Sequence, residues 1–184
     1  MAKKLEKIGY GQLELNQVAF RRDGRIEAQC AIAESIADTE KGGLGYIENG
    51  MLLAVNNIDR TVNYAASGNT HPVALHYSTE HMYDERAKGL KNFKLDKNTF
   101  LPRMGYLGAG DKYTTNTVCF DEALSYETIK ENLAKGTVYY AAASTTEDYE
   151  GYHEITTDSA KAVALVIAAT TMPDGQLAFK FQAL

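Results

Sequence analysis

Tryptophan is absent from this 184-residue chain, and cysteine and proline are scarce, with two and three copies. The two cysteines, Cys30 and Cys119, stand far apart with neither a CxxC nor a Cys/His metal spacing beside them. That excludes a zinc-finger pattern and a disulfide framework, and buried free thiols are the expectation. No window approaches the roughly eighteen unbroken apolar residues of a membrane-spanning helix. The opening MAKKLEKIGYGQLEL has lysines but no apolar signal core, so the expectation is a soluble protein made in a reducing cytoplasm, with no membrane partner. Cations are also in the minority: 19 Lys and Arg against 24 Asp and Glu, a formal charge of −5. Direct coating of nucleic acid needs clustered cations to displace counterions, and this balance argues against it.

What remains is globular in composition, with 45% apolar and 23% charged residues, enough in one domain to bury a core without metals or disulfides. The three prolines, Pro72, Pro102 and Pro173, sit beside turn-like segments and leave long stretches free to pair in sheets. The expected fold is therefore mainly β, a barrel or sandwich-like domain with one or two short helices and an N-terminal arm or hairpin. Residues 1–16 have few apolar anchors and read as a mobile arm, followed by a single β-rich domain over 17–184. Residues 17–32 read as a hairpin about Asp23-Gly24, a dipeptide suited to a tight turn. Ser125 to Gly136 reads as a capped helix with Tyr126, Ile129 and Leu133 on one face, and residues 78–89 as a second short helix. The tail reads as two strands: an apolar run over 162–169, a turn at Met172-Pro173-Asp174-Gly175, then alternation of Leu177, Phe179 and Phe181 with polar or small residues.

An internal repeat is the main organisational signal. Asn49-Gly50 precedes an apolar strand, and a second strand beginning Val73-Ala74-Leu75 follows a polar excursion. Lys135-Gly136 precedes another apolar strand, and Val163-Ala164-Leu165 begins the next. Two similar halves, about 45–80 and 131–172, would arise from two β-layers or from two halves of one barrel; chance similarity between Ala/Val-rich strands is the competing explanation.

No catalytic constellation emerges. The cluster Gly105-Tyr106-Leu107-Gly108-Ala109-Gly110 has the spacing GxxGxG, and Asp111 interrupts the Gly-Lys step of a phosphate loop. His71, His76 and His81 recur every five residues, which shares a face on neither helix nor strand. The acids of 147–158 lack the spacing of a calcium loop. Accordingly no catalytic residue, metal or cofactor is expected. Charge, by contrast, is polarised. Residues 1–27 carry six cations against four acids, whereas residues 121–158 carry nine acids against Lys130 and Lys135. Twelve tyrosines, several beside the acidic stretch, suit contact surfaces, since tyrosine combines large area with a hydroxyl.

The segments ENGMLLAVNNIDRTVNYA (48–65), HPVALHYSTEHMYDERAKGLKNFKL (71–95), LPRMGYLGAGDKYTTNTVCFD (101–121) and MPDGQLAFKFQ (172–182) resemble structural proteins of tailed-bacteriophage heads. Within that group the resemblance is to decoration proteins, also called cement or auxiliary capsid proteins, and it spans most of residues 45–184. It implies a non-enzymatic, β-rich virion protein that binds the outer surface of the capsid and stabilises it. The implied partners are the major capsid protein and further copies of the chain, a trimer among them; the implied locations are the virion exterior and, during assembly, the host cytoplasm. The expected capsid contact is Phe20, Arg21, Arg22 and Arg25, and Tyr149, Glu150 and Tyr152 are expected in an exposed or inter-subunit loop. A tail or baseplate subunit is the alternative. A small ligand- or carbohydrate-binding module using the 105–117 loop with His76 and His81 is a second.

Overall fold

The structure, a computed structural model, describes residues 2–37, 39, 43–65, 70–78, 90–97 and 100–184. Among these described residues, fourteen short strands and two α-helices follow one another as β1 (Ala2–Lys4), β2 (Leu13–Gln17), β3 (Ile26–Glu27), β4 (Ala31–Ile32), α1 (Glu34–Ala37), β5 (Leu52–Asn56), β6 (Thr61–Tyr64), β7 (Val73–His76), β8 (Met104–Gly105), β9 (Lys112–Thr115), β10 (Val118–Asp121), α2 (Tyr126–Ala134), β11 (Tyr140–Ala143), β12 (His153–Thr156), β13 (Ala164–Thr171) and β14 (Leu177–Ala183). They form two sheets. The six-stranded sheet has the order β3-β8-β7-β5-β6-β4, and the eight-stranded sheet the order β1-β10-β12-β11-β13-β14-β9-β2. The class is mainly β and sandwich-like.

The two sheets share one plan. Without β1 and β2, the larger sheet reads β9-β14-β13-β11-β12-β10, which is the order of the smaller sheet strand for strand. The pairing directions agree as well. β4 runs parallel to β6, and β10 runs parallel to β12, while the other four pairs in each sheet are antiparallel. α1 follows β4, and α2 follows β10. The strands of the sequence repeat occupy equivalent places: β5 beside β7 in one sheet, β11 beside β13 in the other. Gly50 and Gly136, which lead into β5 and β11, both have φ near +90° (+85° and +90°), a region open to glycine at little cost.

Chain length forces each sheet to curl. Six flat strands would hold their outer members about 24 Å apart. Only Ala28, Gln29 and Cys30 link β3 to β4, a reach of at most about 14 Å. Asn116 and Thr117 link β9 to β10 in the same way. No ladder joins the members of either linked pair among the described residues, so neither sheet is a closed barrel. The apolar core forms two clusters, one mainly from each sheet, with Leu52 and Leu75 of the six-stranded sheet joining the cluster of the larger sheet and Cys119 of β10 joining the other. Ile36 of α1 packs with Ile32, Leu53, Val55, Val62 and Met104, while Tyr126 and Ile129 of α2 pack with Tyr113, Ala141, Val166, Phe179 and Phe181.

The C-terminal half follows the sequence reading closely. The Ser125 hydroxyl accepts the Thr128 N–H at 3.1 Å and caps α2. β13 and β14 pair across the 172–175 turn, with Phe179 and Phe181 buried. The helix expected over 78–89 falls almost wholly outside the described residues.

The N-terminal reading needs correction. Residues 2–17 are built into the fold: β1 pairs antiparallel with β10, β2 with β9, and Leu5 and Leu13 are buried. Two leucines are enough to dock a short segment when existing sheet edges satisfy its backbone. The segment 17–32 is not a hairpin either. The turn forms, with Gly24 at φ +68° and the Arg22 and Asp23 N–H groups donated to the Ala19 carbonyl. Its flanking strands separate, β2 to β9 of one sheet and β3 to β8 of the other. The fully buried Phe20 side chain anchors the turn between them.

Candidate interaction surface

The turn at 19–25 places the four residues expected to meet a capsid, and it divides them. Arg21 and Arg22 are exposed. Phe20 is not available: its ring is fully buried, lies 5.0 Å from the Tyr77 ring, and fills the space where a Cβ on Gly105 would have to go. Arg25 is half-buried and packs its guanidinium over Gly108, with one nitrogen 3.4 Å from the Asp23 carboxylate. The turn is held from beneath by Asp111. One carboxylate oxygen accepts the Ala19 N–H at 2.7 Å and the other the Gly108 N–H at 2.9 Å. The resulting display is two arginines at the tip of a braced turn that also carries the chain from one sheet to the other.

The acidic loop is likewise divided. Tyr149 and Glu150 are half-exposed, whereas Tyr152 is buried at 3% exposure, correcting its assignment to an exposed loop. Burial, with Glu147 nearby, raises the Glu150 carboxyl above the ordinary range. Gly151 accounts for the burial of its neighbour: its carbonyl accepts the Leu52 N–H at 2.7 Å and thereby docks the loop on β5.

Tyr152 belongs to a buried polar cluster that joins three parts of the chain. Its hydroxyl donates to the Glu48 carboxylate, which also pairs with the Lys7 ammonium. The second Glu48 oxygen accepts the Gly11 N–H at 2.6 Å. The Lys7 nitrogen lies 4.7 Å from the centre of the Tyr152 ring. The Lys7 and Glu48 side chains are 4% and 1% exposed, so water does not satisfy them. Burial lowers the Lys7 amine from its ordinary value, and the adjacent Glu48 charge opposes that shift. The cluster fastens the N-terminal segment and the acidic loop to the lead-in of β5. Its one signal in the sequence is Glu48 itself, a charge inside the otherwise uncharged run Tyr46-Ile47-Glu48-Asn49-Gly50-Met51-Leu52.

Of the described residues considered for ligand binding, His76, Thr115 and Thr117 have their side-chain polar atoms committed to the fold, whereas the buried Asn116 side-chain nitrogen has no hydrogen-bond partner. His76 is fully buried, with Nδ1 2.8 Å from the Glu48 carbonyl and Nε2 2.6 Å from the Ser78 hydroxyl. Thr115 and Thr117 donate their hydroxyls to the Gln12 and Asn49 carbonyls. His81 lies outside the described residues. His153, which the sequence reading did not single out, is fully buried with Nε2 2.9 Å from the Tyr113 hydroxyl and no hydrogen-bond partner for Nδ1. Burial lowers the pKa of His76 and of His153 to about 4. Burial also pushes the Cys119 thiol up to about 12, and burial with Glu27 nearby raises that of Cys30, so both buried cysteines are held as thiols rather than thiolates. Among the described residues, no three His, Cys, Asp or Glu side chains converge as metal ligands.

Fold and surface together define a mainly-β protein of two duplicated, curled sheets with an exposed arginine turn at their junction. Comparison with protein-family models, with curated proteins and with solved structures found no match.

Proposed function

We propose that this chain is a non-enzymatic structural protein of a tailed-phage virion, binding the outer surface of the capsid and stabilising it. The observation that carries the reading is the 19–25 turn, where a buried aromatic and a two-armed aspartate hold two exposed arginines on an otherwise acidic protein. A rigid turn presents its cations with little ordering cost on binding. Two arginines contribute modestly in one copy, but many copies on a lattice act together through avidity. The acidic remainder of the surface limits unspecific adhesion to nucleic acid during assembly.

The test is co-sedimentation with undecorated, expanded heads of its own phage. Wild-type protein should bind in a fixed ratio to capsid facets, and Arg21→Glu/Arg22→Glu should bind at least about tenfold more weakly, as repulsion replaces attraction. Absence of wild-type binding overturns the proposal, and binding to tails or baseplates in its place assigns the chain there. The arm itself is unsuitable for deletion, because residues 2–17 are part of the sheet.

A further inference from the structure

Among the described residues the duplication is incomplete, and the unmatched strands lie at one sheet's edges. In the eight-stranded sheet, β2 covers the outer edge of β9 and β1 covers that of β10. The equivalent strands of the six-stranded sheet are β3 and β4, and among the described residues no strand covers the outer edge of either. At β3, Tyr106 donates its N–H to the Arg25 carbonyl, and Glu27 stands opposite Met104. The alternation of an antiparallel ladder therefore turns the N–H and C=O of Ile26, and next those of Ala28, away from β8. Ile26 is 39% exposed on this edge, and Phe100 and Leu101, just before β8, are 58% and 48% exposed. Exposed arginines stand at both ends: Arg21 and Arg22 in the turn before β3, Arg103 directly before β8.

We infer that the outer edge of β3 is a docking site for an extended segment of a partner protein, added antiparallel as an extra strand and alternating apolar with acidic residues. β2 is the internal template, since it covers the equivalent edge antiparallel with the sequence Leu13-Glu14-Leu15. Main-chain bonds to Ile26 and Ala28 supply affinity, as in strand addition generally, and the arginines at either end select the acidic partner. The inference rests on the proposed adhesive role only in taking that partner to be the capsid protein; the edge and its chemistry stand on the duplication.

The probe is a capped peptide copying residues 12–18, titrated into the full-length protein and followed by heteronuclear NMR. The amides of Ile26 and Ala28 should shift and become protected from exchange. A peptide carrying Glu14→Lys should bind at least about fivefold more weakly, as should the wild-type peptide to Arg21→Ser/Arg22→Ser protein. Ile26→Pro should abolish binding while leaving the fold intact, because the N–H it removes faces away from the ladder. The arginine variant provides the answer if the proline variant does not fold. Shifts confined to β2 and β9, equal binding of the two peptides, or a free protein already dimeric through β3 would each overturn the inference. In the head assay, equal binding of wild type and Ile26→Pro overturns the edge but spares the capsid reading. If wild type fails to bind heads, the capsid reading falls, and the peptide titration still decides the edge.

Discussion

Acid should unfold this protein through two histidines. His76 and His153 are each fully buried, and burial lowers their pKa from the ordinary 6.5 to about 4. The neutral ring is the buried form, so between those values the unfolded chain binds more protons than the folded one. The stabilisation is complete above pH 6.5 and is lost as pH falls towards 4. With each full pH step worth about 1.4 kcal/mol per site, each histidine removes about 2 kcal/mol between pH 7 and pH 5. The pair removes about 4 kcal/mol, a large part of the 5–15 kcal/mol typical of a domain. At a urea dependence of about 2 kcal/mol per molar, the unfolding midpoint should drop by about 2 M. The assay is urea unfolding followed by far-ultraviolet circular dichroism at the two pH values, for wild type and for His153→Gln. Glutamine keeps a hydrogen-bonding group near the Tyr113 hydroxyl but does not titrate, so the drop should shrink to about half whatever packing the variant loses. A wild-type loss below about 1 kcal/mol, or a loss in His153→Gln as large as in wild type, would refute acid unfolding through these histidines.

Glu48→Gln leaves Lys7 buried without its counter-charge and should destabilise the protein by about 3–5 kcal/mol. Replacing Lys7 with Met as well should recover part of that loss, which a double-mutant cycle in urea would measure. Gly50→Ala should cost more than about 2 kcal/mol, because its φ of +85° disfavours a side chain and the new Cβ would strike the Thr115 hydroxyl. The same change at Gly136, where φ is +90° but nothing lies within 4 Å, should cost about 1 kcal/mol, so unequal thermal midpoints are the expected result.

How much could be read in advance depended on the range of the interaction. The span and caps of α2, the turn at 172–175, the buried pair Phe179 and Phe181 and the mainly-β class follow from neighbours within a few positions: a serine cap, a left-handed glycine, an alternation with period two. Gly50 and Gly136, with the strands behind them, marked only the middle of the repeat in the linear order of residues: the matching strand sets run from β3 to β8 and from β9 to β14, well beyond 45–80 and 131–172. At the candidate surface, the Asp23-Gly24 turn and its two exposed arginines were legible for the same reason.

Partners distant in the chain were decided only by folding. The flanks of the 19–25 turn go to different sheets because edges offered by β8 and β9, some eighty to a hundred residues onward, satisfy their backbones better than pairing with each other. Phe20 and Tyr152 look like surface residues locally, yet Gly105 makes room for one and Glu48 accepts the hydroxyl of the other. The residues of β1 and β2 have little to hold them as an isolated arm and become structural only against sheet edges made by residues 112–121. Local steric preferences act between neighbours and are therefore written into the order of residues, whereas burial and strand pairing exist only once remote segments have met.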